Sequence, residues 1–183
     1  MKSRYFFTFA VGYAVAFAVI FFQPSYSHAG SMLHSNLIKI FSGLKFKQVH
    51  NAEKDFLSKS DSSTKMSLVI YFAGYCPYCK ENLPQITSNY DRYKSCGVQI
   101  FGVSTGEAKE PTAKALSEWK IKFPVIQDED KKIGKAVGVD LIPTAMLTDK
   151  DGIVVEVGAG STKFKKVIEK MKKQLKESGC AQI

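Results

Sequence analysis

Apolar positions cut the chain into one long unbroken stretch near its start and a series of short runs after it. Phe6 to Phe22 is an apolar stretch of 17 residues, and no Asp, Glu, Lys or Arg occurs between Arg4 and Lys39. Leu44 to Val49 alternates apolar and polar positions, the period of a half-buried strand. Ala52 to Ser60 has the spacing of a short helix, and Asp61-Ser62-Ser63 closes it with turn formers. Ser67 to Ala73 is continuously apolar and rich in strand formers, which predicts a strand buried on both faces. Pro77 to about Tyr93 reads as a helix, with its proline at the first turn, where no N–H is missed. Gly97 to Ser104 is a second buried strand. Thr112 to Trp119 and Lys131 to Val137 read as helices. Thr144 to Thr148 and Ile153 to Val157 flank Asp149-Lys150-Asp151-Gly152, a hairpin signal. Lys163 to Glu177 is a final helix with Phe164, Val167, Ile168, Met171 and Leu175 on one face. This order predicts an α/β fold in which a central mixed β-sheet is flanked by helices on both faces.

The first stretch has the parts of an export signal. Lys2 and Arg4 precede the apolar run, and Ser27-His28-Ala29 ends in a small residue suited to cleavage. Residues 1–29 are therefore expected to be a signal peptide, or an uncleaved anchor, since 17 residues is near the short limit for a membrane span. Residues 30–43 are a linker or N-terminal extension, whose Leu37, Ile38, Ile40 and Phe41 are suited to docking on the domain or on a partner. Residues 44–183 form the folded domain. Export places the domain in the periplasm or another extracytoplasmic space, with membrane contact only if the first segment stays attached.

Composition adds little that is specific. Apolar residues make up 45% of the 183-residue chain and charged residues 23%, ordinary for a globular protein. The net charge is +9, with the densest lysines on the last helix. No nucleic-acid motif accompanies them, so a solvated helix face accounts for the charge and no nucleic-acid partner is expected.

Export does change how cysteine is read. Four are present, Cys76, Cys79, Cys96 and Cys180, an even count in a compartment where disulfides persist. Cys76 falls after the buried strand and just before a helix. Helix N-terminal N–H groups favour an anion there and lower a thiol pKa. Cys79, one turn on, is placed to attack Cys76 and resolve a mixed disulfide. Zinc is the other use of a Cys-x-x-Cys spacing. It needs two more ligands, whereas Cys96 and Cys180 stand singly and His28, His34 and His50 all lie upstream. No metal and no cofactor beyond the cysteine pair is expected.

The run Tyr71-Phe72-Ala73-Gly74-Tyr75-Cys76-Pro77-Tyr78-Cys79-Lys80 resembles the active site of the thioredoxin superfamily. Pro84 matches the proline that kinks the family's active-site helix. Ile142-Pro143-Thr144 matches its cis-proline loop, which packs beside the cysteines and pairs with substrate polypeptide; Gly158 matches a glycine lining the same groove. Phe123 to Asp128, read as an inserted segment, the stretch Gly138 to Thr144, and Gly106-Glu107-Ala108-Lys109 narrow the likeness to the exported, often tethered TlpA/ResA reductases, over roughly residues 44 to 177. The resemblance implies a thioredoxin fold and thiol–disulfide exchange at Cys76 and Cys79, with Ile142, Pro143 and Thr144 in the groove and Pro77, Tyr78, Pro84 and Glu107 in support. Substrates would be thiols or disulfides of exported proteins, and a reductase would draw electrons from a membrane electron-transfer partner. Disulfide oxidase or isomerase activity, or a metal-binding chaperone, are the alternatives.

Two departures stand out. The buried aspartate common six residues before the first cysteine is Ile70 here, which makes Glu107 the candidate proton handler. The Pro77-Tyr78 pair is that of glutaredoxins and leaves the direction of electron flow open. In a thioredoxin fold the active-site and final helices share one face and end away from the site. This implies a structural Cys96–Cys180 disulfide, as against two free thiols or a thiol used in a dimer. Peroxidase activity is disfavoured, because Cys76 lacks a Pro-x-x-x-Thr approach.

Overall fold

The computed structural model describes residues 32–44, 47–50 and 63–180. The export signal and the helix expected at Ala52 to Ser60 lie outside the described residues. So do Lys45 and Phe46 of the strand expected at Leu44 to Val49. Among the described residues no helix is long and apolar enough to cross a membrane.

Six strands form one mixed sheet: β1 (Lys47–His50), β2 (Met66–Phe72), β3 (Val98–Thr105), β4 (Val125–Asp128), β5 (Thr144–Asp149) and β6 (Val154–Ala159). Their spatial order is β1-β4-β3-β2-β5-β6. β2 and β3 are parallel, as are β3 and β4, while β5 runs antiparallel to β2 and β6. The helices are α1 (Leu37–Ser42), α2 (Pro77–Ser88), α3 (Tyr90–Ser95), α4 (Lys109–Glu118), α5 (Lys132–Val137) and α6 (Ser161–Glu177).

Alternation along the central strands builds a core on each face. Leu68, Ile70 and Phe72 of β2 point into one core with Leu83 and Ile86 of α2, Leu116 of α4, and the apolar stripe of α6. Val69 and Tyr71 point into the other, with Leu37 and Phe41 of α1 and Ile133 and Val137 of α5. With both faces covered, β2 carries no polar side and reads as an unbroken apolar run. The expected face of α6, Phe164, Val167, Ile168, Met171 and Leu175, is buried throughout.

Two helices differ from expectation, and one segment gains a strand. Phe123 to Asp128, read as an inserted segment, ends in β4, a full member of the sheet. Its four residues are all buried, so no alternation marked it, and Pro124 in front of it reads as a loop residue. The helix expected from Pro77 to Tyr93 is two helices that meet at Asn89, which leaves the αR region at φ −104°, ψ 6°. Its side chain turns back to donate to the Gln85 carbonyl at 3.0 Å, the local competition that makes Asn a helix-ending residue. The helix expected from Thr112 begins earlier, at Lys109, with Pro111 inside its first turn.

The N-terminal extension docks on the domain. Met32, Leu37 and Phe41 are buried in the second core. The segment also binds the β5–β6 hairpin: the His34 N–H donates to the Val154 carbonyl at 2.8 Å, and the Leu37 N–H to the Gly152 carbonyl at 2.9 Å.

Candidate active site

β2 ends at Phe72, and the loop Ala73-Gly74-Tyr75 delivers the chain to Cys76, the N-cap of α2. Cys76 is extended (φ −81°, ψ 112°) and its own N–H donates back to the Ala73 carbonyl at 3.1 Å. Pro77 occupies the first helical position, where a missing N–H costs nothing. One turn later Cys79 joins Cys76 in a disulfide, with Cα atoms 5.2 Å apart. The Cys79 N–H points at the Cys76 sulfur at 3.2 Å. An N–H so placed, together with the helix N-terminus, favours an anion at that position. The two sulfurs are not equivalent: Cys76 is 5% exposed and Cys79 is fully buried.

The loop before Cys76 is tethered by Glu107. Its Oε2 accepts the Gly74 N–H at 2.7 Å and the Thr112 hydroxyl at 3.2 Å. Thr112 is fully buried and shares a 2.8 Å hydrogen bond with Ser104. Gln127 holds the other end of the residue, donating to the Glu107 carbonyl at 2.9 Å. Gly74 has to be glycine: a Cβ there would lie 2.9 Å from the Ala115 Cβ and 3.0 Å from both carboxylate oxygens. Ile70, two positions before the end of β2, is apolar and fully buried beneath α2.

The second wall comes from the other side of β2. Thr144 is the register partner of Tyr71, which sets the preceding Ile142–Pro143 bond beside the loop to Cys76. That bond is cis. The loop is pinned at both ends: the Thr144 hydroxyl donates to the Leu141 carbonyl at 2.5 Å, and the Gly160 N–H to the Pro143 carbonyl at 2.9 Å. These bonds bracket Ile142. Tyr75 (64% exposed) and Tyr78 (57%) flank Cys76 and Pro77 in the chain, and Leu141 (50%) precedes the cis bond; they are three of the five large apolar side chains left exposed among the described residues. Gly158 pairs with Ala145, next to Thr144, and packs against the start of α6, where a Cβ would run into the Lys163 backbone.

Pro84 sits inside α2 and offers no N–H to the Lys80 carbonyl. Cys96 caps the end of α3 and is disulfide-bonded to Cys180, with Cα atoms 6.0 Å apart and a sequence separation of 84. The pair lies at the far end of the sheet, since Cys96 leads into Val98, the partner of Met66 at the start of β2. Among the described residues no group of three or more His, Cys, Asp or Glu is placed to hold a metal ion. Sequence reasoning missed Asn82, a buried polar residue on the inner face of α2. A carboxamide between the second cysteine and Leu83 was its only signal.

Residues 44–157 match the profile of the AhpC/TSA family, a span that contains Cys76, Cys79, Glu107 and the cis-proline loop. The chain belongs to the AhpC/TSA family. Within the AhpC/TSA family it is similar to the thiol-disulfide oxidoreductase ResA of Bacillus subtilis (strain 168), with 31% identity over 102 residues, 56% of this chain and 57% of that protein. The chain thus spans less than two thirds of that relative's length. Among solved structures it is similar to a putative thiol:disulfide interchange protein DsbE from Chlorobium tepidum, with a TM-score of 0.57 and 19% identity over 74% of this chain and 94% of that one. It is also similar to a putative thioredoxin from Neisseria meningitidis, with a TM-score of 0.53 and 25% identity over 60% and 73% of the two chains. These likenesses give the fold, thioredoxin-like in the α/β class.

Proposed function

We propose that this protein is an extracytoplasmic thiol–disulfide oxidoreductase that exchanges disulfides with exported proteins, working as a reductase. The observation that carries this is the asymmetry of the Cys76–Cys79 pair: Cys76 caps the N-terminus of α2 and keeps 5% of its surface open to solvent, while Cys79 behind it is fully buried. The ResA relatives are named for the same chemistry.

In the reducing direction the Cys76 thiolate attacks a substrate disulfide. One substrate sulfur leaves as a thiolate and takes a proton from water, while the other is held in a mixed disulfide. Cys79, deprotonated, then attacks the Cys76 sulfur and expels the second substrate thiolate. The substrate gains two electrons, and the protein is left with the Cys76–Cys79 disulfide. A membrane electron-transfer partner returns the two electrons for the next cycle. Ile142, Pro143 and Thr144 present backbone to the substrate polypeptide, and Tyr75, Tyr78 and Leu141 grip apolar residues beside its cysteine. Pro77 and Pro84 shape α2. We assign Glu107 to the loop, as the tether of Gly74 and a nearby proton acceptor. The charged n-region and the apolar run from Phe6 to Phe22 support export, and a second disulfide at Cys96–Cys180 fits an oxidising compartment.

Trapping tests the assignment of roles. Cys79→Ser removes the resolving thiol, so mixed disulfides with substrate proteins accumulate at Cys76. Cys76→Ser forms none. The roles are wrong if Cys76→Ser is the variant that traps.

A further inference from the structure

The Tyr78 carbonyl and the Cys79 N–H belong to one peptide group, and both ends of that group are engaged. The N–H end is shared between the Cys76 carbonyl at 3.1 Å and the Cys76 sulfur at 3.2 Å. The carbonyl end accepts a 2.6 Å hydrogen bond from Nδ2 of Asn82. Asn82 is only 5% exposed, and its amide also reaches Ser161 Oγ at the start of α6, a longer contact of 3.5 Å.

We propose that Asn82 is a positioning residue for thiol–disulfide exchange: by holding the Tyr78 carbonyl, it aims and polarises the Cys79 N–H that stabilises the Cys76 thiolate. This rests on the exchange chemistry proposed above. Two physical effects act together. A peptide fixed at its carbonyl end cannot swing its N–H away from the sulfur. A hydrogen bond accepted at the carbonyl also draws electron density through the amide and makes its N–H a stronger donor. Asn82 does this without placing a charge beside the thiolate, which an acidic side chain at the same place would do. The acceptor is a carbonyl at i−4 on the same helix, which a hydroxyl side chain also reaches.

The charged and titratable groups around this turn are Lys80 and Glu81 on α2, Lys165 of α6 paired with Glu81 at 2.8 Å, Glu107 on the Gly74 N–H, Asp140 in the cis-proline loop, and the exposed Tyr75 and Tyr78. All are present in every variant named below, so a shift between variants reports position 82.

The test compares Asn82→Val with Asn82→Thr, which share a shape and differ in one donor. The readout is the pH dependence of Cys76 alkylation in the reduced full chain, followed by mass mapping of the Cys76 peptide. Asn82→Val is expected to move the midpoint up by about half a unit, the size of losing one polarising bond, and to lower the reduction potential of the pair. Asn82→Thr is expected to restore most of the wild-type profile. A folded Asn82→Val chain with an unshifted midpoint overturns the proposal, as does an equal shift in both variants. If Asn82→Val does not fold, Asn82→Ala against Asn82→Ser puts the same question with smaller side chains. Absence of any disulfide exchange by the wild-type chain would instead remove the enzymatic reading, and the alkylation profiles would still report on Asn82.

Discussion

At the scale of single residues, two polar groups buried on one face of the sheet fare very differently. Asp128 is buried, but its carboxylate accepts the N–H groups of Ile133 and Gly134 at 2.8 and 2.7 Å, so it opens α5 with its bonding satisfied. The Tyr71 hydroxyl, buried on the same face, has no hydrogen-bond partner among the described residues. Burial first, and the nearby Asp128 charge second, push its phenol well above the ordinary 10.0. Because the folded pKa is raised, stability is unaffected below about pH 10 and falls above it, as the unfolded chain ionises and the folded one does not. Tyr71→Phe removes an unsatisfied buried hydroxyl and is expected to gain about 1 kcal/mol at neutral pH. It should also flatten the alkaline fall. Denaturant melts at pH 7 and pH 11 read both effects, and a loss of stability at pH 7 would show that the hydroxyl is bonded after all. The cysteine pair was legible at this scale because its spacing is a chemical requirement, and the cis-proline through the resemblance of Ile142-Pro143-Thr144 to a known loop. Asn82 was not, since its importance depends on which peptide it touches, and the sequence does not show that.

At the scale of elements, packing decided what could be read. β2 and β3 announced themselves as apolar runs, and α6 by its 3.6-residue stripe, because long elements repeat their signal. β4 spans only four residues and is buried on both sides, so neither alternation nor length distinguished it from a loop. The junction of α2 and α3 was hidden for a different reason: Asn89 ends a helix through its own side chain, and no glycine or proline marks the spot. The staple between α3 and the tail after α6 joins residues 84 apart, closing a long loop in the unfolded chain. Replacing Cys96 and Cys180 together by serine is expected to cost about 2–4 kcal/mol in chemical denaturation. Exchange at Cys76 should be unchanged, because the staple lies at the other end of the sheet. A drop in exchange rate in the folded double variant would place the second disulfide in the reaction path.

Over the whole molecule, the stabilising devices gather at one pole. The Met66 end of β2 faces Asp149 at the hairpin, and there lie the Cys96–Cys180 staple and the hydrogen bonds of residues 34–37. The opposite pole carries the Cys76–Cys79 disulfide, the pinned cis-proline loop and the exposed Tyr75, Tyr78 and Leu141. One pole is thus tied down, and the other carries the cysteine pair of the proposed exchange site. The lysines of α6 do not contradict this. Lys165, Lys170, Lys172 and Lys173 pair with Glu81, Glu156, Glu169 and Glu177, so much of the helix's charge is answered locally. The reduction potential of the Cys76–Cys79 pair, measured by equilibrating the full chain with dithiothreitol or glutathione buffers, bears most directly on the proposed reductase. A reductase fed from a membrane donor should equilibrate near about −250 mV or below, close to thioredoxin at about −270 mV. A value of about −120 to −180 mV would contradict that direction and make the site an oxidase or isomerase, and a pair that exchanges with neither buffer would contradict the enzyme itself.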